Sequence, residues 1–163
     1  MILEPLGPTF AQVAGVVAAL KRRAETVATA ESLTAGLVCS ALTEVPGSSG
    51  VVRGGLVVYA TELKAELAGV DRELLVERGA VDPEVAAQLS RGARERCGAD
   101  WGIGLTGVAG PDPQDGVPPG TVHLGFTGAN GTEVRTAELT GDRRAVRSAA
   151  VRVALEHFGE LLG

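Results

Sequence analysis

Residues 26–42 read TVATAESLTAGLVCSAL. The stretch from Thr26 to Ala30 is typical of a short buried strand, and it runs directly into Glu31 and Ser32. Ser32 or Thr34 is a suitable N-cap for a helix that follows. Four apolar residues then recur at helical spacing: Leu37, Val38, Ala41 and Leu42. A strand that passes directly into a helix indicates a βα unit, whose next strand pairs in parallel.

The same alternation continues along the chain. A helix with apolar positions Val13, Val16, Val17 and Leu20 comes before the first strand. Short helices are predicted at Glu62 to Leu67 and at Arg72 to Glu77, and Asp82-Pro83-Glu84 begins a longer helix that stops near Gly98. Asp142 is predicted to cap the last helix. The further strands are predicted at Val51 to Tyr59, broken by Gly54-Gly55, at Trp101 to Thr106, at Thr121 to Phe126 and at Glu133 to Leu139.

These elements predict an α/β fold with a mixed sheet of about five strands and helices on both faces. Strands separated by helices pair in parallel, whereas Asn130-Gly131 indicates an antiparallel hairpin between the last two strands. The segment from Gly107 to Gly120 is rich in Gly and Pro and is predicted to be a loop without a helix. We expect a mostly parallel sheet that ends in this hairpin.

Composition limits the class of protein. The chain has 163 residues, 45% apolar and 21% charged, so residues 1–163 are expected to form one globular domain. The net charge of −5 argues against a nucleic-acid partner bound through a broad basic face. No apolar run is long enough for a membrane span, and no signal peptide is visible, so a cytoplasmic protein is expected. Cys39 and Cys97 are interpreted as packed thiols.

Three predicted strand ends mark the candidate site. In sheets of this kind, ligands bind outside the carboxyl ends of the parallel strands. Ser32 follows the first strand, Tyr59 to Lys64 follow the second, and Thr106 to Gly110 follow the third. We therefore expect these segments to converge.

Ser32 is a candidate nucleophile, because a strand-to-helix turn offers main-chain N–H groups to a developing oxyanion. The alternative is that Ser32 only caps the helix. Neither His123, inside a strand, nor His157, on the last helix, is placed to act as its base, and the two form no metal site. Lys64 can act as the base if burial lowers its pKa, with the Tyr59 hydroxyl nearby. The alternative is a solvated lysine beside a packed tyrosine.

Two other patterns are ambiguous. Residues 102–107, GIGLTG, match the spacing GxGxxG, but the glycines lie within a predicted strand and no helix follows, which argues against a dinucleotide site. Arg143 and Arg147 lie near the start of the last helix, where a guanidinium suits an anionic ligand such as a phosphate. A solvated helix face is the alternative.

An ordered series of motifs resembles the CinA C-terminal domain family, the nicotinamide-nucleotide amidohydrolases. The resemblance extends from about Ala11 to Leu162. Its motifs are AESLTAG at 30–36, PGSS at 46–49, Tyr59 with Lys64, GAV at 79–81, TGVAGP at 106–111, GTV at 120–122 and GDR at 141–143. Ala35 departs from the family pattern, in which a second glycine is common, and we expect it to restrict the turn slightly without removing the chemistry.

The resemblance implies a three-layer α/β/α sandwich and hydrolysis of the carboxamide of nicotinamide mononucleotide. No cofactor is expected, and no metal, because the sequence has no cluster of His, Cys and carboxylate residues at ligand spacing. The resemblance also implies that Ser32 is the nucleophile and that Lys64 and Tyr59 form the base. The 5′-phosphate is expected on Arg143 or Arg147 and on donors at Ser48-Ser49. The remaining residues expected to bind substrate are Thr34, Gly36, Thr106, Gly107, Ala109 and Gly110.

The partners implied are a small nucleotide substrate and further copies of the chain, as a homodimer or larger homo-oligomer, without nucleic acid or membrane. Two alternatives to the enzyme remain. One is a catalytically silent nucleotide-binding or regulatory module that keeps the pocket. The other is an interaction domain linked to competence or DNA damage, which the family name alone suggests. The domain that comes before this one in full-length family members is absent from the sequence, so its activity is not expected.

Overall fold

The computed structural model describes residues 7–163, so residues 1–6 of the predicted domain lie outside the part discussed below. Helices and strands alternate much as the periodicity predicts. The helices are α1 Phe10–Arg23, α2 Leu37–Thr43, α3 Thr61–Glu66, α4 Arg72–Arg78, α5 Pro83–Cys97 and α6 Arg143–Leu162. The strands are β1 Val27–Glu31, β2 Val52–Val57, β3 Trp101–Gly107, β4 Thr121–Gly128 and β5 Gly131–Glu138. None of the helices within residues 7–163 has the length and apolar character that a membrane span requires.

The predicted helix starts at α5 and α6 are confirmed. The Asp82 side chain accepts a hydrogen bond from the Glu84 N–H at 2.8 Å, and Pro83 occupies the first turn of α5. Asp142 accepts from the Ala145 N–H at 2.9 Å and so caps α6. Each carboxylate satisfies an N–H that has no partner within the helix.

The five strands form one mixed sheet in the order β2-β1-β3-β4-β5. β1 pairs in parallel with β2 and with β3, whereas β4 is antiparallel to both β3 and β5. Four strands therefore run in one direction and β4 runs against them. The expected hairpin joins β4 to β5 at Gly128 and Gly131. The expected break at Gly54-Gly55 is wrong, because β2 continues through these glycines with a register shift opposite Val27 and Ala28.

Helices cover both faces of the sheet, as predicted. On one face α1, α2 and α6 enclose a large apolar cluster that includes Leu20, Leu42, Phe126 and Phe158. On the other face α5, with α3 and α4, packs on a smaller cluster that includes Leu89. This burial of aliphatic surface is the main source of stability.

Glycines allow α5 to approach the sheet closely. A Cβ at Gly102 or Gly104 of β3 would overlap the main chain of α5 at Ser90, and one at Gly125 of β4 would overlap the Ala86 carbonyl. The first two glycines of GxGxxG thus lie inside β3 against a helix, and a loop follows the motif. The motif therefore serves close packing, in line with the sequence argument against a dinucleotide site.

Candidate active site

Ser32 lies in the turn that leaves the carboxyl end of β1. Its side chain is buried, and its main-chain N–H donates to the Leu105 carbonyl of the neighbouring strand β3 at 3.0 Å. The turn continues with Ala35 and Gly36, both in the left-handed region, with φ of 48° and 93°. Helix α2 begins only after Gly36, so Ser32 is not at its first turn.

The expected capping of α2 by Ser32 or Thr34 is wrong, because the side chain of Glu31 takes that place. The Glu31 carboxylate accepts from the N–H groups of Val38 at 2.9 Å and Cys39 at 3.1 Å. Thr34 turns its hydroxyl to the same carboxylate at 2.7 Å and is fully buried. Thr34 and Gly36 thus shape the turn and do not line the cavity described below.

Lys64 reaches Ser32 from helix α3. Its amine is 2.9 Å from Ser32 Oγ, and it also contacts the main-chain carbonyls of Val58 at 2.8 Å and Tyr59 at 3.2 Å. The side chain is 1% exposed, and burial lowers the pKa of the Lys64 amine to about 8, although Glu62 acts in the opposite direction. Burial disfavours the ammonium form, so a useful fraction of the amine is neutral near neutral pH.

The acceptors around Lys64 set the direction of its lone pair. A neutral amine has two hydrogens and one lone pair, and two carbonyls are present to accept the two hydrogens. With both hydrogens directed at carbonyls, the lone pair of the amine faces Ser32 Oγ, so the amine can accept the hydroxyl proton. A buried amine in this arrangement can activate a serine without histidine.

Tyr59 lies at the site but is not arranged as expected. Its main-chain carbonyl contacts Lys64, whereas its exposed hydroxyl accepts from Arg143 Nη2 at 2.9 Å. The expectation that the Tyr59 hydroxyl assists Lys64 directly does not fit this geometry. Tyr59 lines the cavity described below, and its hydroxyl is paired with a guanidinium.

A cavity of about 290 Å³ opens in front of Ser32, close to the lower end of the usual range of small-molecule sites, about 300–1,000 Å³. Thr106, Gly107, Ala109 and Gly110 line it, as predicted from the convergence of strand ends. The Thr106 hydroxyl donates to the Ala80 carbonyl at 2.6 Å, so it holds the wall of the cavity. A Cβ at Gly107 would lie 2.7 Å from the Thr121 carbonyl oxygen, which explains the glycine there.

Three main-chain N–H groups at the cavity are candidates for an oxyanion hole. The N–H groups of Ser32 and Val108 are not among them, because they already donate to the carbonyls of Leu105 and Thr121 respectively. Leu33, Ala109 and Gly110 line the cavity, and their N–H groups have no acceptor within residues 7–163. These groups are therefore free to bind an oxygen of a ligand.

Arg143 and Arg147, the two arginines of α6 expected to bind the phosphate, have different environments. Arg143 lines the cavity and donates to the Gly110 carbonyl at 2.7 Å as well as to Tyr59. Arg147 donates from Nε to the Leu33 carbonyl at 2.8 Å, behind the turn, and is not part of the lining. Of the pair expected to hold a phosphate, only Arg143 faces the cavity.

Ser48 and Ser49 are not brought to this cavity. They form a 3₁₀ turn just before β2, and Val51 of the same segment accepts from the N–H of Val27 at the amino end of β1. Ser32 leaves the opposite end of β1, about 15–20 Å away for a strand of this length. Ser48 is buried and directs its hydroxyl to the Thr43 carbonyl at 3.4 Å. The expected role of these serines in phosphate binding is therefore not supported within one chain.

Three residues at the site were not predicted from the sequence. Asp112 and Gln114 line the cavity, and the Asp112 carboxylate has no hydrogen bond or ion pair with the rest of residues 7–163. Glu31, next to Ser32 in the sequence, is fully buried. The sequence feature that could have identified Glu31 is its position as a charged residue at the end of an otherwise uncharged, buried strand. Over the same described range, no cluster of three His, Cys, Asp or Glu side chains is arranged to hold a metal.

Comparison with known proteins places the chain among related sequences. Residues 11–162 match the model of the CinA C-terminal domain. The chain is 49% identical over 147 residues to a CinA-like protein of Frankia casuarinae, and 44% identical over 151 residues to one of Acidobacterium capsulatum. These matches cover 90% and 92% of this chain but only 34% and 36% of the relatives, so the chain spans about a third of their length.

Solved structures of similar proteins share the fold over nearly the whole chain. A CinA superfamily protein from Klebsiella pneumoniae matches with a TM-score of 0.91 and 32% identity, covering 94% of this chain and 96% of that one. A competence/damage-inducible protein from Agrobacterium tumefaciens matches with a TM-score of 0.85 and 36% identity, with the same coverage of both chains.

Proposed function

Because this chain belongs to the CinA C-terminal domain family, we propose that it hydrolyses the carboxamide of nicotinamide mononucleotide to nicotinate mononucleotide and ammonia. The observation that carries the proposal is the 2.9 Å contact between Lys64 Nζ and Ser32 Oγ at the base of an open cavity. A buried amine with a lowered pKa beside a serine hydroxyl has the chemistry of a nucleophile and its base.

In the proposed first step, Ser32 Oγ attacks the carboxamide carbon, and its proton passes to Lys64 Nζ. The carbonyl oxygen becomes an oxyanion, which the N–H groups of Leu33 and Ala109 or Gly110 stabilise. The Lys64 ammonium then protonates the amide nitrogen, the C–N bond breaks, and ammonia leaves. An ester between Ser32 and nicotinate mononucleotide remains.

In the second step, water attacks this ester while Lys64 accepts a proton from it. The tetrahedral intermediate collapses, the ester bond to Ser32 breaks, and the proton on Lys64 returns to Ser32 Oγ. Nicotinate mononucleotide leaves, and the enzyme is restored. Every proton moves through the one amine that contacts Ser32, so the exposed Tyr59 hydroxyl is not required for transfer.

The charges at the cavity support a mononucleotide with an N-substituted pyridinium ring. Such a ligand is zwitterionic, with a positive ring and a negative phosphate. The cavity lining contains one cationic residue, Arg143, and one anionic residue, Asp112. A guanidinium suits the phosphate, and an otherwise unpaired carboxylate suits the ring.

Ammonia release by the purified protein tests the proposal. Nicotinamide mononucleotide should be turned over by the wild type, whereas Ser32→Ala should lose turnover and retain binding within a few-fold. Lys64→Ala should be nearly as severe, because the two residues act as a unit. Ser40→Ala, in α2 and outside the cavity lining, is the matched control and should stay close to wild type.

Other outcomes would reject the proposal. A rate above about a tenth of wild type in Ser32→Ala would exclude this mechanism, since loss of general-base help alone usually costs about 10²–10⁴-fold. Saturable nucleotide binding without turnover in the wild type would indicate a binding or regulatory module. Neither binding nor turnover would favour an interaction domain.

A further inference from the structure

Glu31 is a fully buried carboxylate immediately before the candidate nucleophile, and the proposed chemistry does not use it. Side chains alternate along a strand, so Glu31 and Thr29 share one face of β1, and Ala28 and Ala30 the other. The two alanines pack in the cluster beneath α3 and α5, on the side from which Lys64 reaches Ser32. Glu31 therefore lies on the face of the sheet opposite Lys64.

Four donors bind the two carboxylate oxygens of Glu31. Oε1 accepts from the Thr34 hydroxyl at 2.7 Å and from the Val38 N–H at 2.9 Å. Oε2 accepts from the Thr29 hydroxyl at 2.9 Å and from the Cys39 N–H at 3.1 Å. These donors come from the strand before Ser32, from the turn that contains it and from the helix after it.

We propose that Glu31 is a positioning residue that holds the turn over residues 32–36 so that Ser32 Oγ meets Lys64 and the Leu33 N–H faces the cavity. This inference rests on the proposed role of Ser32 as the nucleophile. The turn needs such a support, because two successive residues, Ala35 and Gly36, adopt left-handed conformations. By binding donors before and after the turn, the carboxylate offsets the cost of these conformations.

The charge and shape of the side chain explain why a glutamate is used. An ionised carboxylate is an acceptor only, and it can satisfy four donors at once. A glutamine amide would keep one acceptor oxygen and turn an NH₂ group toward a main-chain N–H, so at least one bond would be lost. An aspartate would keep the charge but is one methylene shorter, so it could not reach all four donors.

Glu31→Gln distinguishes positioning from simple stabilisation. A residue that only stabilises the fold would lower Tm without changing the rate per folded molecule. A displaced nucleophile lowers the rate of attack while substrate binding is nearly preserved, and misplacement by about 1 Å can cost roughly 10²-fold. For Glu31→Gln we therefore expect kcat to fall roughly 10–100-fold and KM to stay within about threefold.

The experiment measures two rates at a temperature at which circular dichroism shows each variant folded. One is kcat and KM for nicotinamide mononucleotide, and the other is covalent labelling of Ser32 by a fluorophosphonate probe. The matched control is Ser90→Ala, which removes a fully buried hydroxyl between α5 and β4, bonded to Thr127 at 2.7 Å and outside the cavity lining. This control should lower Tm while both rates stay within twofold of wild type.

A second variant covers the case in which Glu31→Gln does not fold. Thr34→Val removes one of the four donors and keeps the carboxylate, and it should slow labelling by a few-fold. Unchanged labelling and kcat in both variants, or in the one that folds, would overturn the inference. If the wild type is labelled but releases no ammonia, the proposed substrate is wrong, and the labelling comparison still decides the role of Glu31. A wild type that is neither labelled nor active would overturn both.

Discussion

Lys64 Nζ lies 2.9 Å from Ser32 Oγ, although 32 positions of sequence separate the two residues. The chain leaves the carboxyl end of β1 at Ser32, crosses through α2 and returns along β2, which is parallel to β1. It therefore arrives at α3 at the same edge of the sheet. The contact between the proposed nucleophile and its proposed base is thus a direct product of one parallel crossover.

The pH dependence of kcat/KM should report the Lys64 amine. The base must be neutral to accept the Ser32 proton, and burial lowers the pKa of this amine to about 8. We therefore expect kcat/KM to rise with pH up to about 8 and to level off above it. Initial rates of ammonia release between pH 6 and pH 10 would measure the curve. A rate that falls as the amine loses its proton would show that Lys64 acts as a cation rather than as a base.

Arg143 should determine the preference for a phosphorylated substrate. A charge-assisted bond to phosphate contributes about 1.5–3 kcal/mol, so nicotinamide riboside should be roughly 10–150-fold poorer in kcat/KM than the mononucleotide. Arg143→Ala should remove most of this difference and change the rate on the riboside only a few-fold.

Arg147→Ala provides the matched comparison for Arg143. Its guanidinium holds the Leu33 carbonyl behind the turn, so its loss should lower kcat/KM for both substrates to a similar extent. Equal rates on riboside and mononucleotide in the wild type would reject the phosphate anchor. A preference that survives in Arg143→Ala and disappears in Arg147→Ala would assign the anchor to Arg147 instead.

Asp112 should recognise the positive charge of the pyridinium ring. In a Ser32→Ala background, which permits binding without turnover, nicotinamide mononucleotide should bind more tightly than its dihydro form, whose ring is neutral. Asp112→Asn should remove a preference of about three- to tenfold, the size expected for one partly screened charge pair. Isothermal titration with both ligands would measure it.

Asp115→Asn is the control for Asp112, because it removes the same charge from the same loop at a position outside the lining of this cavity. Its effect should be small and equal for both ligands. If Asp112→Asn weakens both ring forms equally, the carboxylate binds another part of the ligand, such as the ribose hydroxyls.

Ala35→Gly should stabilise the protein. Ala35 is exposed with φ of 48°, and a left-handed conformation costs an L-residue roughly 1–2 kcal/mol. The greater entropy of glycine in the unfolded chain offsets about half of this, so the free energy of unfolding should rise by about 0.5–1 kcal/mol. Urea denaturation would detect the change. Ala18→Gly, in the middle of α1, should shift the free energy in the opposite direction by a similar amount.

Local patterns predict much of this fold. Asp82 and Pro83 determine the start of α5, and the glycine-rich turn at Asn130 determines the last hairpin. The convergence of strand ends correctly brings Ser32 together with Lys64 and the segment 106–110, because parallel strands present their carboxyl ends at one edge. Here topology alone determines which residues meet.

The parts that were not predicted depend on side-chain direction and on the opposite edge of the sheet. Ser48 and Ser49 come before a strand, and residues that come before a parallel strand lie far from those that follow its neighbour. The Tyr59 hydroxyl is bonded to Arg143, and Lys64 contacts only the main-chain carbonyl of Tyr59; sequence spacing does not determine which way a side chain points. The role proposed for Glu31 depends on donors from the strand, the turn and the helix that meet around its carboxylate.

The glycines of β3 beneath α5 also fix the register of this strand relative to the helix. Gly102 and Gly104 lie on one face of β3, and the next residue on that face is Thr106, whose side chain cannot fit where the helix backbone touches the sheet. A slip of β3 by two residues is therefore blocked by steric overlap. Because β3 supplies the Leu105 carbonyl that accepts from the Ser32 N–H, these glycines help to determine the position of Ser32 relative to the wall of the cavity.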